Sequence, residues 1–509
     1  MSGTRRYRQL SCPLAHRREA AGLDEYASYD AVGLAELVRA GEVSPAELLD
    51  AARLRAEKVN PQINAIVADV EPPPTSVANP PLGGVPFLIK DLHQDLAGYP
   101  TSNGCRALAQ TSATTSSTVV RRFIEAGLAI FGKTNTPEFG AKGITEPLLH
   151  GPARNPWNTD RTPGGSSGGA AAAVAAGIVP AAGASDGGGS IRIPASACGL
   201  FGLKPSRGLV PAGPVRAEGL GGTATDGVIS RSVRDTAALL DVLVGPADDA
   251  PYLAAQPTGP LLDEVGREPG RLRIAVCTAS GINPAPHPEV IAAAQGAAAL
   301  LTGLGHEVVE LDRQPVDDGA LAADFLTTWF VACAQTVEDV RKVTGAPNAL
   351  FEPDTLLMAA IGRATSPVVF ARAIERRHEH TRRLATFHAS YDLLLTPTTA
   401  TPPPRIGFFD IPAPLRAGQR FFLATGTAGL LRHTGIVDRL VAENLSWVPY
   451  TQLANLTGRP AMTVPLHWTP DGLPIGVQFV GRLGAEPQLL RLAGQLEAAA
   501  PWADRRPAL

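Results

Sequence analysis

Short apolar runs alternate with stretches of helical periodicity along most of the chain, and a sheet covered by helices is the architecture that buries such a series. Val85-Pro86-Phe87-Leu88-Ile89 reads as a short buried strand ending at Lys90. Residues 118–126 read as an amphipathic helix, Leu128 to Phe131 as a strand, and Ala170 to Ala176 as a tightly packed helix. Leu272 to Cys277, Pro288 to Leu304 and Glu307 to Leu311 repeat the order strand, helix, strand, and Leu393 to Leu395 is a further buried strand. Ala461 to Leu466 and Ile475 to Val480, joined by the Asp471-Gly472 turn, read as paired strands before a last helix from Glu486 to Ala499. The start is helical instead. Leu34, Leu37 and Val38, then Leu48, Leu49 and Ala52, recur at helical spacing, and Ser44-Pro45-Ala46-Glu47 supplies an N-cap, a first-turn Pro and a capping-box Glu. The expected fold class is α/β: one large domain with a mixed central sheet covered by helices.

Composition narrows the function. The chain has 509 residues, with 45 Lys+Arg against 48 Asp+Glu and a formal charge of -3. Nucleic acid or anionic membrane would call for a basic surplus, so neither is an expected partner. Five scattered cysteines, Cys12, Cys105, Cys198, Cys277 and Cys333, form no CxxC pair and point to a reduced compartment. Thr4-Arg5-Arg6 looks superficially like a twin-arginine export signal, but no apolar run of signal length follows, so the expected location is cytoplasmic. The one long apolar stretch, Ala170 to Ala184, contains Pro180 and is too weakly hydrophobic to span a bilayer.

The densest chemical signal is Gly164-Gly165-Ser166-Ser167-Gly168-Gly169, followed by Asp186-Gly187-Gly188-Gly189-Ser190-Ile191-Arg192. Gly-flanked serines mark places where backbone approaches a ligand closely, and three glycines before a Ser leave N–H groups free to converge on an oxyanion. Flexible linker is the bland alternative, but linkers are not normally followed by a compact helix and an Asp…Ser-x-Arg cluster.

Several named motifs compete. Gly127 to Thr134 matches a Walker A string, yet its middle residues are themselves the strand, the reverse of the order a phosphate loop needs. Gly164-x-Ser166-x-Gly168 fits a nucleophile elbow, but no strand precedes it; His433 and His467 lie downstream in a polar loop stretch and after a strand without an evident acid. His378-Glu379-His380 falls in an Arg-rich helix, where neighbours diverge around the axis, and points to a solvated face rather than a metal site.

What remains is Lys as a base. Only six basic residues are Lys, and the other 39 are Arg, which stays charged and cannot accept a serine proton. Lys90, at the end of an apolar strand, would have its pKa lowered by burial. Taken alone, a Lys that reaches solvent or pairs with Asp91 is the better reading.

The spacing of Lys90 in GVPFLIKDL, the GGSSGG segment and Ser190 in SDGGGSIRIPASACGLFGLKPSRG changes that balance. Together with GKTNTPEFG, ARNPWN, SRSVRDTA and GLPIGVQFVG, these segments resemble the amidase signature family over nearly the whole chain. The resemblance implies a hydrolase of carboxylic amide C–N bonds. It makes Ser190 the nucleophile, Ser166 a bridging serine after a cis Gly165-Ser166 bond, and Lys90 the base. It further implies an oxyanion hole from the N–H groups of Gly187, Gly188, Gly189 and Ser190. Asp186 and Arg192 are expected to pair and hold the loop, with Ser167 and Ser185 adding hydrogen bonds. No cofactor or metal is required, the expected partner is a small-molecule amide, and a homodimer stays open. In domain terms, 1–75 would be an N-terminal helical layer and 76–509 the catalytic domain, with core motifs at 83–235 and the substrate pocket and C-terminal part at 236–509.

Departures from the family pattern bear on substrate. Gly187 replaces the common Ile or Thr, Ala184 the usual Gly, and Cys105 a frequent Ser. Ile193 stands where tRNA-amidotransferase A subunits typically have Gln, which argues against a transamidase subunit. Within the family the chain is most similar to amidases that open cyclic 6-aminohexanoate oligomers of the nylon type. Its FLTTWFVAC places Cys333 near their substrate, which makes Cys105 and Cys333 candidate pocket residues. Aryl acylamide, carbamate and peptide amide remain alternative substrates.

Overall fold

The computed structural model describes residues 25–411, 413–433 and 445–509. Thr4-Arg5-Arg6 and Cys12 lie outside the described residues. The described strands are β1 (Ile66–Asp69), β2 (Pro86–Lys90), β3 (Ala129–Thr134), β4 (Ala181–Asp186), β5 (Phe201–Lys204) and β6 (Thr225–Ser230), then β7 (Arg273–Val276), β8 (Glu307–Glu310), β9 (Leu393–Pro397), β10 (Ala461–Trp468) and β11 (Pro474–Val480). They form one sheet in the order β1-β3-β2-β4-β6-β5-β10-β11-β9-β7-β8. It is mixed, since β2 runs parallel to β3 and β4 while β4 and β6 are antiparallel. Each strand read from the sequence is present, most with ends shifted by a residue or two.

Burial explains the centre of the sheet. All five residues of β2 are buried, as a parallel strand covered on both faces requires. By contrast β4, Ala-Ala-Gly-Ala-Ser-Asp, has no β-branched or aromatic residue, so nothing in its own sequence announces a strand. Pairing with β6 along its whole length and the approach of the Gly168–Ala175 helix make it one. That helix packs tightly: a Cβ on Gly169 would lie 2.4 Å from the Asn135 backbone nitrogen and 2.6 Å from the Ala65 carbonyl oxygen. Only Gly permits that approach.

The Pro45–Ile63 helix begins at the predicted capping box, with the Ser44 N–H donating to Glu47 Oε2 at 2.8 Å and the Glu47 N–H to Ser44 Oγ at 3.2 Å. Leu48, Ala52, Val59 and Ile63 from this helix join the same buried cluster as β2 and the Gly168–Ala175 helix. The N-terminal helices and the first half of the sheet therefore share a core.

Three sequence expectations are corrected. A second long apolar stretch exists, the 27-residue Asp318–Thr344 helix; it is apolar and long enough to cross a membrane, but 61% of its apolar window is buried within the fold. His380 does not lie on a solvated face: it is 3% exposed, and its Nε2 sits 2.9 Å from Asp324 Oδ2 on the long helix packed against its own. His467 does have an acid, Glu289, whose Oε2 lies 2.8 Å from its Nε2. That partner starts the Pro288–Gly303 helix, which packs on β9, β10 and β11, so the pair braces a helix against the sheet. His433 closes a short turn at Ala428–His433. The Walker-like string behaves as expected: Lys133 is buried inside β3, with its Nζ 2.6 Å from Thr101 Oγ1.

Candidate active site

Parallel pairing brings the ends of β2 and β4 to one edge of the sheet, and with them Lys90 and Asp186. Lys90 is completely buried. Its Nζ donates to Ser166 Oγ at 2.7 Å and to Ser185 Oγ at 3.1 Å, while its backbone N–H is held by Gln94 Oε1 at 2.7 Å. Burial pulls the ammonium pKa down to about 7, against the opposing pull of Asp226 and Asp186. Burial thus favours a neutral amine next to a serine hydroxyl.

Ser166 follows a cis Gly165-Ser166 bond and is 2% exposed. A Cβ on Gly165 would lie 2.5 Å from the Ile144 carbonyl oxygen, so this position admits no side chain. Ser167 links the segment to β4, donating from Oγ to the Ser185 carbonyl and accepting from the Ser185 N–H, each at 3.3 Å.

The loop that carries Ser190 is built around a buried ion pair. Arg192 and Asp186 are both fully buried, with Nε to Oδ2 at 2.9 Å. All five guanidinium hydrogens find acceptors: both Asp186 oxygens, the Thr451 carbonyl, Gln478 Oε1 and Asn455 Oδ1. Burial alone would raise the Asp186 carboxyl; Arg192, then Lys204 and Asn455, hold it far below the usual carboxylate range. Such a saturated pair offsets the desolvation of two charges that neither could bear alone.

Asp186 also bends the loop, accepting from the Gly189 N–H at 2.7 Å and the Ile191 N–H at 3.2 Å. The Gly189 N–H, expected among the oxyanion donors, is thus occupied by Asp186 in this structure. Gly187 and Gly188 are partly exposed, and Ser190 is 8% exposed. Among the described residues Ser190 Oγ has no hydrogen-bond partner, so the Lys90–Ser166 leg of the expected relay is formed and the Ser166–Ser190 leg is not. Catalytic hydrogen bonds commonly close only around substrate.

The two cysteines lie deeper. Cys105 is fully buried in a cluster with Leu108, Val337 and Phe351, and its Sγ is 3.7 Å from the Leu350 carbonyl oxygen. Cys333 is 5% exposed, and burial, then the charge of Glu138, pushes its thiol up to about 12. Both thiols neighbour Glu138, whose carboxyl burial raises to about 7. Protonated thiols of this kind are packing groups, not nucleophiles.

Thr451, Asn455 and Gln478 were not singled out from the sequence. They lie more than 250 residues from Arg192, and the only signal was a polar residue in an otherwise apolar stretch.

A family model described as Amidase matches residues 47–490. The chain belongs to the amidase signature family. The 6-aminohexanoate-cyclic-dimer hydrolase of a Pseudomonas species is 37% identical over 491 residues, covering 94% of this chain and 96% of that protein. A solved 6-aminohexanoate cyclic dimer hydrolase in complex with substrate superposes with a TM-score of 0.84 at 34% identity, over 94% of this chain and 99% of that one. A bacterial aryl acylamidase does so with a TM-score of 0.79 at 26% identity, over 93% and 97%. This amidase is accordingly a hydrolase of amide C–N bonds, and its relatives act on small-molecule amides.

Proposed function

We propose that this amidase hydrolyses amides of 6-aminohexanoate, cyclic or linear, with Ser190 as nucleophile, Ser166 as proton bridge and Lys90 as base. The observation that carries the mechanism is the 2.7 Å contact between Ser166 Oγ and a buried lysine drawn to about 7. Neutral Lys90 takes the Ser166 proton as Ser166 takes that of Ser190, and the freed Ser190 oxygen attacks the carbonyl carbon. The N–H groups of Gly187, Gly188 and Ser190 receive the developing oxyanion; one such donor is worth ~3 kcal/mol. Collapse breaks the C–N bond, and the proton held on Lys90 returns through Ser166 to the departing nitrogen. Water then cleaves the acyl ester by the same relay, releasing carboxylate.

Two things support the substrate class. Similarity to the cyclic-dimer hydrolases runs nearly end to end. In addition, Phe325 and Trp329, four residues apart on the long helix, share one face, and Phe325 lies against the Gly187–Ser190 loop at Gly188. A cytoplasmic location fits the four described cysteines, all free.

The test uses the purified chain alone, with amine release measured on 6-aminohexanoate cyclic dimer, linear dimer, an anilide and a carbamate. Hydrolysis of the cyclic or linear dimer above the others is the expected result. Inertness without an added partner would point to an amidotransferase-type subunit instead. Mass spectrometry after a fluorophosphonate probe should find the label on Ser190, and a label on another residue would overturn the nucleophile.

A further inference from the structure

The three glycines before Ser190 lack side chains for three different reasons. A Cβ on Gly189 would lie 2.4 Å from Thr451 Oγ1, and its φ of +127° already disfavours any side chain. A Cβ on Gly188 would lie 2.7 Å from Phe325 Cζ, the edge of a buried ring. Gly187 has no such φ; a Cβ there would lie 2.7 Å from Leu220 Cδ1, 3.5 Å from Ala224 Cβ and 3.8 Å from Trp329 Cζ3. What a side chain at 187 would have to displace is the tip of Leu220.

Leu220 is in an unusual place for a leucine. Its φ is +51°, and its neighbours Gly221 and Gly222 also have positive φ, at +58° and +78°. Glycine would fit position 220 without strain, yet this turn keeps a bulky side chain there. Leu220 is part of none of the described core clusters and remains partly exposed. Its loop is firmly held: Arg377 donates to the Gly221 carbonyl, Arg207 to the Gly222 carbonyl, and Asn455 to the Thr223 carbonyl at 3.0 Å. The same Asn455 amide binds Asp186 Oδ1 at 2.8 Å, so the Leu220 loop and the nucleophile loop are tied together.

The flank of the carbonyl that the acyl chain takes follows from proton traffic. The departing amine must receive its proton from Ser166, so the acyl chain takes the opposite flank. Gly187 meets Leu220 and Trp329, Gly188 meets Phe325, and the Phe325 and Trp329 rings lie 5.4 Å apart.

We propose that the apolar flank of Gly187 is the acyl side and that Leu220 is its specificity-determining residue, restricting the space beside Trp329 to an unbranched methylene chain. This rests on the assignment of Ser190 as nucleophile made above. A branched or aromatic acyl group meets the Leu220 methyls before its carbonyl reaches the oxyanion donors.

The experiment compares p-nitroanilides of hexanoic, 2-ethylhexanoic and benzoic acid, which share one leaving group, by kcat/KM. The wild-type protein should favour hexanoyl. Leu220→Ala should raise the branched and benzoyl substrates relative to hexanoyl about tenfold or more, the scale of one or two methylenes in an apolar pocket. Gly187→Ala drives the Leu220 tip toward the acyl chain and should move the same ratio the opposite way. In the double variant the added methyl occupies the vacated room, and the ratio should return toward wild type. Should Leu220→Ala fold poorly, by circular dichroism and thermal melting, the ratio in Gly187→Ala decides. An unchanged ratio in both single variants, or a wild type indifferent to branching, overturns the role of Leu220 while hydrolysis lost in Ser190→Ala leaves the nucleophile standing. Hydrolysis that survives Ser190→Ala overturns the nucleophile itself and this proposal with it.

Discussion

Two buried lysines at strand ends invite comparison. Lys90 closes β2 and Lys204 closes β5; both are at most 1% exposed, and burial draws both to about 7. Their partners differ. Lys90 Nζ meets two serine hydroxyls, one of them in the GGSSGG segment, whereas Lys204 Nζ donates to the Pro205 carbonyl at 2.7 Å, a group with no proton to give. A perturbed pKa shows where burial has discouraged a charge, and the neighbouring atoms decide whether chemistry follows.

The strongest way to break this comparison is to remove each amine. Lys90→Ala should lower kcat by about 10²–10⁴-fold, the range for a positioned base, with circular dichroism unchanged. Lys90→Arg should not restore activity, since a guanidinium stays charged. Near-normal turnover in a folded Lys90→Ala protein would remove the distinction between the two sites.

The loop that carries Ser190 should be nearly as sensitive, through stability. Arg192→Ala removes five hydrogen bonds and leaves the buried Asp186 without its ion-pair partner, at a cost of about 3–5 kcal/mol in urea unfolding. A loss below about 1 kcal/mol would mean that water reaches the pair.

The pH profile sharpens the contrast further. A base must be neutral to act, so kcat/KM should fall tenfold per pH unit below about 7 and level off above it, as Lys90 loses its proton. Lys204→Met should leave this limb in place and change kcat/KM only a few-fold.

A last contrast concerns stability at Lys204. A lysine lowered from 10.5 to about 7 by folding binds fewer protons in the native state between those values, so its burden on stability is full at pH 7 and relieved as pH rises toward 10.5. The stability difference between Lys204→Met and wild type should therefore shift in favour of wild type from pH 7 to pH 10, as read by urea midpoints. A difference independent of pH would mean that Lys204 keeps its charge in the folded protein.

Much of this molecule was legible in local sequence. The capping box at Ser44, the apolar run before Lys90 and the closing Ala461 to Val480 hairpin each specify their structure within a few residues, because capping, burial periodicity and turn chemistry act at short range. Residue types also restricted the base: between lysine and arginine only lysine can lose its proton, and Lys90 sits where an apolar strand ends. Other features had no local signature. β4 is a strand because β6 pairs with it, and His380 is buried because its helix lies against Asp324. The orientation of Arg192 needs Thr451, Asn455 and Gln478, and the empty position at Gly187 needs Leu220. The sequence by itself determined which groups could do the chemistry; only tertiary structure decided which of them meet, because hydrogen bonds and steric contacts depend on distances of a few ångströms between residues hundreds of positions apart.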